Sequence, residues 1–413
     1  MLFSPLGRLK KINLLNTGYP VAVDFGVSAL KVLHVAPGEG DQGLKLVCAA
    51  MVETPDDIAG DHAKRIAFQA AELVKLSKQL ELRGKRAVCG IPAVQTFCKH
   101  MQFPKSDSTP VAALVKAAVP AQVGCHPDAL LYRHVEVPAT GISGKNEVIC
   151  LAASRDLVTR LMNALSAAKL EPVGIHPEFH AMLRAFTVGV AAGNQETDGA
   201  TLYLDLGAGA TKVVIAHGPA MVFAKTVTVG GRHMDQALSR GLKCSVAEAR
   251  AKRLAAKALT PSTPAHAPRP AEGADAGGGM AMLSAAMAKH EGRGEGASGA
   301  GAAVATRPGA HADEIDLSAQ LETLTDEVAM CLRYHESLFP GKRVGRAVLV
   351  GGEARHRGLC QAVARAIRLP TQIADPLARV ARTGAEPCIG TILIGPQPGW
   401  TVPLGLCVSP TDL

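Results

Sequence analysis

The stretch DFGVSALKV at residues 24–32 recurs as DLGAGATKV at residues 205–213. Asp, Gly, Lys and Val occupy the same offsets in both copies, which start 181 residues apart (205 minus 24). Each copy ends one apolar strand, turns tightly and enters a second strand. The spacing is too long for a solenoid repeat. The repeat therefore predicts two related α/β domains, each of which offers a hairpin loop.

The composition of the two loops suits an anionic ligand. A glycine two residues after each Asp lets backbone N–H groups approach an anion closely, and Ser28 and Thr211 add hydroxyl donors. The carboxylates of Asp24 and Asp205 can hold a hydrated Mg²⁺, which prefers a few carboxylates together with waters and phosphate oxygens. A lone copy would be interpreted as an ordinary β-turn, but the matched pair favours a binding role.

A third motif, AVLVGGEARHRGL, covers residues 347–359. It predicts a buried strand that runs into a Gly-Gly pair and then a helix. The glycines permit a flat group to lie against the backbone, and the N-terminus of the helix is electropositive.

In this order the three motifs resemble those of the actin-like ATPase superfamily. The segments CGIPAVQTFCKHMQFP at 89–104 and FAKTVTVGGRHMDQALSRGLKCSVAEARAKR at 223–253 make the PilM family of type IV pilus assembly proteins the most similar one. The resemblance implies an α/β, two-domain actin-like ATPase fold with RNase H-like halves and an FtsA-type extra subdomain. The long disordered insertion that composition predicts in this chain is atypical of the family.

The resemblance also implies ATP and Mg²⁺ as cofactors and assigns residues to them. Mg²⁺ would be held through water by Asp24 and Asp205. The phosphate contacts would come from Gly26, Val27, Ser28 and Lys31 in the first loop and from Gly207, Ala208, Gly209 and Thr211 in the second. The adenosine contacts would come from Gly230, Gly231, Arg253, Gly351, Gly352 and Glu353.

The sequence departs from the family pattern at several positions. His176 stands where an Asp is usual, which leaves Glu178 as the candidate catalytic carboxylate. Arg250 replaces an acidic residue, Lys212 replaces a residue that is usually uncharged, and Pro403 interrupts the last predicted helix. We therefore expect phosphate and Mg²⁺ binding, with ATP hydrolysis slow or absent.

Composition sets the expected domain boundaries. Residues 258–313 contain no Phe, Tyr, Trp or Ile and are mostly Ala, Gly, Pro, Ser and Thr, so they predict a disordered insertion, with a candidate short helix at 280–290. The other expected parts are a flexible or amphipathic tail at 1–18, a first half at 19–188 with the extra subdomain at about 92–170, and a second half at 199–257 and 314–408.

Composition also excludes several classes of protein. Nine Phe, four Tyr and one Trp are few for stacking bases, so no nucleic-acid partner is expected. The ten Cys contain no CxxC pair, which favours a reducing cytoplasm over a disulfide or zinc framework. No apolar run approaches the ~18 residues that span a bilayer. The net charge of +8 is spread out, and indicates either a solvated basic surface or attraction to an anionic membrane or partner.

These features predict a cytoplasmic ATP-binding scaffold, peripheral to the inner membrane. By resemblance its partner would be the N-terminal cytoplasmic tail of a PilN-like single-span protein, and self-association is a further expectation. The alternatives are an FtsA- or MreB-like cell-division or shape scaffold and a small-molecule kinase. The INLL sequence at 12–15 resembles the motif of that partner; it is either a coincidence or a tail that occupies the partner groove.

Overall fold

The computed structural model describes residues 18–38, 43–106, 108–138, 144–187, 199–256, 258–260 and 314–411. The tail at 1–17, with its INLL sequence, lies outside the described residues. So do residues 261–313 of the predicted insertion, including the candidate helix at 280–290. None of the helices within the described ranges has the length and apolar character needed to cross a bilayer.

Strands and helices alternate along most of the chain, as the sequence predicts. The strands are β1 (Val21–Phe25), β2 (Ala29–Pro37), β3 (Leu44–Glu53), β4 (Arg86–Ile91), β5 (Phe97–Pro104), β6 (Leu130–Glu136), β7 (Lys145–Ser154), β8 (Glu171–Pro177), β9 (Ala200–Leu206), β10 (Thr211–His217), β11 (Ala220–Val227), β12 (Ala258–Thr260), β13 (Glu314–Asp316), β14 (Val344–Val350), β15 (Thr371–Ile373), β16 (Val380–Ala381) and β17 (Cys388–Ile389). The helices are α1 (His62–Gln79), α2 (Val111–Val123), α3 (Arg155–Ala167), α4 (Glu178–Thr187), α5 (Gly231–Leu242), α6 (Val246–Ala255), α7 (Ser318–Leu338), α8 (Arg357–Ile367) and α9 (Thr401–Cys407).

The chain divides into two compact units. The first contains the described residues of Met1–Gln95, Ala153–Asn194 and Asp375–Leu413, and the second those of Thr96–Ala152 and Gln195–Ala374. Each unit is built on its own sheet.

The sheet of the first unit has the order β16-β3-β2-β1-β4-β8, with β17 also paired to β3. Strands β1, β2 and β3 are antiparallel neighbours, whereas β4 runs parallel to β1 and β8 parallel to β4. One face packs on α1 and α3, through Leu73 and Leu161 among others. The other face packs on α4, α9 and the buried Trp400, through Ala181 and Leu406. Because both faces are covered, β1 is buried along its whole length.

The main sheet of the second unit has the order β11-β10-β9-β14-β15. Its first three strands are antiparallel neighbours, and β14 and β15 run parallel to β9. This is the same arrangement as β3-β2-β1-β4-β8 in the first unit. The predicted duplication of an α/β domain is thus confirmed at the level of strand order.

A smaller sheet, β5-β7-β6, is covered by α2 through Val115 and Val119. It is joined to β11 by a hydrogen bond from the Cys98 thiol to the Ala224 carbonyl and by stacking of His100 on Phe223. These contacts explain why residues 96–152 belong to the second unit. The sequence predicts an extra subdomain at about 92–170 as part of the first half. Within that range, α3 lies in the first unit and residues 96–152 lie in the second.

Two local expectations are wrong. The sequence predicts one helix over 246–259 and disorder from residue 258, but α6 ends at Ala255 and Ala258–Thr260 forms β12, parallel to β13. Burial of Leu259 accounts for the strand. Pro403 does not interrupt its helix, because it lies in the first turn of α9, where backbone N–H groups have no partner within the helix.

Candidate functional site

The two Asp-Gly loops occupy equivalent positions in the two sheets. Asp24 lies next to the end of β1 and pairs in register with Lys31 on β2. Asp205 lies next to the end of β9 and pairs in register with Lys212 on β10. Both carboxylates are buried, and in each copy three half-buried loop residues follow the strand. The structure thus places the matched motif residues in matching positions.

The first loop is braced from behind by Gln69 of α1. Its side-chain amide donates to the Gly26 carbonyl at 2.8 Å and to the Thr54 hydroxyl at 2.9 Å. The backbone N–H of Thr54 donates to the Ser28 carbonyl at 2.9 Å. These bonds hold the carbonyls of the loop against the body of the unit. They thereby fix the turn around Val27, whose backbone N–H groups are the predicted phosphate contacts. A side chain at Gly26 would press on the Ala29 carbonyl at 2.9 Å.

Lys31, the predicted phosphate-binding lysine of this loop, donates to the Gly399 carbonyl at 2.5 Å. This bond links the second strand of the hairpin to the segment before α9.

The second loop supports the start of α5. The Gly207 N–H donates to the Ala210 carbonyl at 3.1 Å and closes the turn around Ala208 and Gly209. The N–H of Gly231 then donates to the Gly207 carbonyl at 3.1 Å. The predicted hydroxyl donor Thr211 instead donates to the Val229 carbonyl at 2.8 Å and is buried. It therefore fixes the loop and has no hydrogen left for a phosphate.

Lys212 neutralises the carboxylate of Asp205. The two side chains lie 2.8 Å apart, with 10% and 5% of their surfaces exposed. Among the described residues, no group of three or more His, Cys, Asp or Glu side chains can enclose a metal ion. The donor set fits a hydrated Mg²⁺ attached by single carboxylates, with the ammonium of Lys212 competing for Asp205.

Arg253 of α6 forms a buried cluster with two carboxylates. Its guanidinium donates to Asp235 of α5 at 2.6 and 3.3 Å and to Glu353 at 2.7 Å. Burial by itself would lower the pKa of Arg253, but the two carboxylates raise it above its ordinary value. Burial raises the pKa of Asp235, against the two hydrogen bonds from Arg253. The cluster ties α5, α6 and the Gly351-Gly352 turn together.

Glycines allow these segments to approach closely. A side chain at Gly231 would overlap the Glu353 carboxylate, and one at Gly230 would meet the Ala208 carbonyl at 2.6 Å. Gly351, with φ of +94°, lies directly against Asp205. By contrast, nothing lies within 4 Å of a side chain added at Gly352. The predicted adenosine residues are therefore brought together with the second loop, and Gly352 is open.

A cavity of about 490 Å³ lies beside this cluster. It is lined by Leu254, Ala256, Arg355, His356, Arg357, Gly358 and Gln361. His356 accepts from the Leu359 N–H through Nδ1 at 3.0 Å and so caps α8. Its buried Nε2 meets no acceptor with hydrogen-bonding geometry in the described part of the chain. Burial, and next the charge of Arg253, lower the pKa of His356, against a smaller opposing effect of the Arg253 and Ala256 backbones.

Sequence reasoning missed this cavity. The only signal was the Arg-His-Arg run that directly follows GGEA at 351–354. The arginines of the lining, Arg355 and Arg357, suit an anionic ligand, and Gly352 lies a few residues before them on the same segment.

Glu178 lies at the first position of α4 and is buried. The preceding His176 is also buried, and its Nε2 lies 2.8 Å from the Pro410 carbonyl. His176 is therefore engaged with the C-terminal segment of its unit. A catalytic role of Glu178 stays a prediction.

Together, two sheets of one strand order, each with an Asp-Gly loop at the equivalent hairpin, define an actin-like ATPase fold. The sequence matches the family described as type IV pilus assembly protein PilM over residues 22–260. The match covers more than half of the chain, so the protein belongs to this family. It also matches the cell division protein FtsA over residues 202–388. No curated protein matches the chain significantly.

One solved structure agrees with this fold. The chain is similar to one in a PilM-PilN type IV pilus biogenesis complex, with a TM-score of 0.64 and 19% identity over 94% of this chain and 98% of that chain. It is less similar to the ethanolamine utilization protein EutJ of Carboxydothermus hydrogenoformans, with a TM-score of 0.45 and 14% identity over 96% and 91%. For ADP-bound MreB5 of Spiroplasma citri the TM-score is 0.40 and the identity 12% over 93% and 94%.

Proposed function

We propose that this chain is a nucleotide-binding scaffold in type IV pilus assembly whose nucleotide state sets its affinity for an inner-membrane partner. The observation that carries the nucleotide part is the glycine cradle of the second unit. There the Asp205 loop, the start of α5 and the Gly351-Gly352 turn approach closely, with the Glu353 carboxylate against Gly231 and the Asp205 carboxylate against Gly351.

Different residues would hold the phosphates, the nucleoside and the Mg²⁺ of bound ATP. Backbone N–H groups of the Gly26–Ser28 and Gly207–Gly209 turns would hold phosphate oxygens. The nucleoside would lie against Gly352, near the cavity beside His356. Bound Mg²⁺ would neutralise phosphate charge, held through water by Asp24 and, in competition with Lys212, by Asp205.

Nucleotide acts here as a conformational ligand, with hydrolysis slow or absent. Glu178 is the one carboxylate we nominate for activating a water, and its burial at the start of α4 is compatible with that role but does not require it. If Glu178 is catalytic, Glu178→Gln abolishes the residual ATPase activity and leaves ADP affinity unchanged.

The partner we propose is the N-terminal cytoplasmic tail of a PilN-like single-span protein, which would bring the chain to the inner membrane. A PilM-PilN complex exists for a protein of this fold. Because coupling between two ligands is reciprocal, a peptide of that tail must change ATP affinity by the same factor by which ATP changes peptide affinity.

The nucleotide part is tested by titration calorimetry with ADP and ATP on Gly352→Ala. An added methyl group there meets nothing within 4 Å, so the fold should be unaffected, and a weaker nucleotide affinity reports a ligand against this backbone. Gly345→Ala, where an added methyl is equally free, is the matched control. Equal affinity of both variants and the parent protein would contradict the proposed position.

A second candidate is a cell-division scaffold, favoured by the FtsA match over residues 202–388. Purification of the tagged protein from its own cells, with and without Mg-ATP, separates the two. Recovery of a single-span pilus protein supports the first candidate, and recovery of division proteins supports the second. A kinase, the third alternative, would release ADP faster in the presence of an acceptor.

A further inference from the structure

The most exposed apolar side chains of the described residues lie in one loop of the first unit. Ile392 and Ile394 are 75% and 85% exposed, and they flank Leu393, which packs against the apolar core beneath the sheet. We call residues 392–394 the apolar tip. It follows β17 and is bounded by Gly390 and Gly395, both with positive φ angles.

The backbone of the apolar tip is held from inside the protein. Gln397, which is buried, donates to the carbonyls of Ile392 at 3.2 Å and Ile394 at 3.0 Å. The guanidinium of Arg382 donates to the carbonyl of Leu393 at 2.6 Å. All three carbonyls thus have side-chain donors, so the two isoleucines are presented outward by a fixed loop.

We propose that the apolar tip inserts into the surface of an anionic membrane. Because its three carbonyls already have hydrogen-bond partners, moving this irregular backbone into an apolar medium costs less than it would with unpaired carbonyls. Arg382 lies at the base of the tip, where its other N–H groups can donate to lipid phosphates. The net charge of +8 adds a general attraction to anionic lipid.

The small apolar area of the tip favours a membrane over a protein as its binding partner. Two isoleucine side chains on a protruding loop fall far short of the ~800 Å² per partner that a stable protein interface buries. A bilayer surface needs no complementary partner surface around the tip. The nearby acidic Glu386 has its carboxylate engaged with the N–H groups of Thr383 and Gly384. This proposal does not depend on nucleotide binding or on the pilus partner.

The test is flotation of the full-length chain with vesicles, without nucleotide. Vesicles of phosphatidylcholine alone are compared with vesicles that also contain phosphatidylglycerol. We expect binding to the anionic vesicles, weakened by salt, and a loss of about tenfold or more for the double variant Ile392→Ser, Ile394→Ser, because its apolar anchor is gone. Ile373→Ser, at an exposed isoleucine of the second unit, is the matched control and should bind as the parent does.

Several results would overturn the proposal. They are failure of the parent chain to float with either vesicle, equal flotation of parent and double variant, and loss of flotation only when residues 1–17 are deleted. A double variant that floats normally but loses a protein partner or self-association would mark the tip as a protein contact instead. Circular dichroism should show that the double variant is folded, since exposed substitutions cost little stability.

Discussion

Lys212 lies 2.8 Å from the carboxylate of Asp205, directly across the β9–β10 pair, and both side chains are buried. The Lys212 ammonium thus lies at the carboxylate that the sequence predicts to hold Mg²⁺ through water. In the first copy of the motif, the lysine at the same register position, Lys31, donates to the Gly399 carbonyl. Each of the two matched lysines is thus engaged within its own unit.

Removing the ammonium of Lys212 should destabilise the protein. Lys212→Met leaves the Asp205 carboxylate buried without this cation, and such a loss costs about 3 kcal/mol or more. Urea denaturation followed by circular dichroism measures the free energy of unfolding. Lys75→Met removes the exposed ion pair with Glu72 and should cost less than about 1 kcal/mol. Similar losses of unfolding free energy for the two variants would show that the buried Lys212–Asp205 pair stabilises the protein no more than an exposed ion pair does.

The Lys212–Asp205 pair should also reduce the dependence of nucleotide binding on Mg²⁺. Lys212→Gln removes the charge but keeps an N–H donor, so Asp205 is left to attract a cation from solution. We expect removal of Mg²⁺ with a chelator to weaken ADP binding more in Lys212→Gln than in the parent, by about tenfold, equivalent to ~1.4 kcal/mol. Titration calorimetry with and without Mg²⁺ measures both affinities. An equal chelator effect in the two proteins would contradict the expectation.

Much of the fold could be predicted from the repeat. A tight turn that begins with Asp-x-Gly and returns into a strand is local, so matched residues at 24–32 and 205–213 reveal duplicated hairpins whatever surrounds them. The sequence also predicts a helix over 178–187, the observed bounds of α4, because a proline and a carboxylate mark its start. The Gly-Gly turn at 351–352 was found for the same local reason.

Contacts between distant segments could not be predicted from pattern. Arg253 meets Glu353 one hundred positions away (353 minus 253), and neither residue signals its partner. The sequence equally shows no reason for the thiol of Cys98 to contact Ala224, which attaches the small sheet to β11. The cavity at His356 is lined by two separate segments, 254–256 and 355–361, and only the folded chain brings them together.

Stability should fall as the pH falls from about 6.5 to about 4. His217 and His335 lie in contact, with their Nε2 atoms 2.8 Å apart. Burial, and then neighbouring charge including Lys342, lowers the pKa of each to about 4. The unfolded chain, with a histidine pKa near ~6.5, binds more protons over this range, so acid favours unfolding. Above about pH 6.5 the stability from this pair is fully present.

Denaturation curves at about pH 7.5 and about pH 5 measure this loss. The double variant His217→Gln, His335→Gln should show a smaller difference between the two pH values than the parent protein. Some difference should persist, because burial also lowers the pKa of His34, His62, His233 and His356. An unchanged difference would show that the pair does not titrate on unfolding.

Gly231→Ala should disturb the proposed nucleoside site from within. The added methyl group would overlap the Glu353 carboxylate, so that side chain must move away and its 2.7 Å bond to Arg253 must lengthen. Overpacking of this kind costs about 1–3 kcal/mol of stability. Because Glu353 directly follows the open Gly352, we expect ADP affinity to fall by about tenfold, equivalent to ~1.4 kcal/mol, measured by calorimetry on protein shown to be folded. Gly345→Ala is again the control. If Gly231→Ala lost stability but bound ADP like the control, the Arg253 cluster would serve only to join α5 and α6, and the nucleoside would have to be held elsewhere.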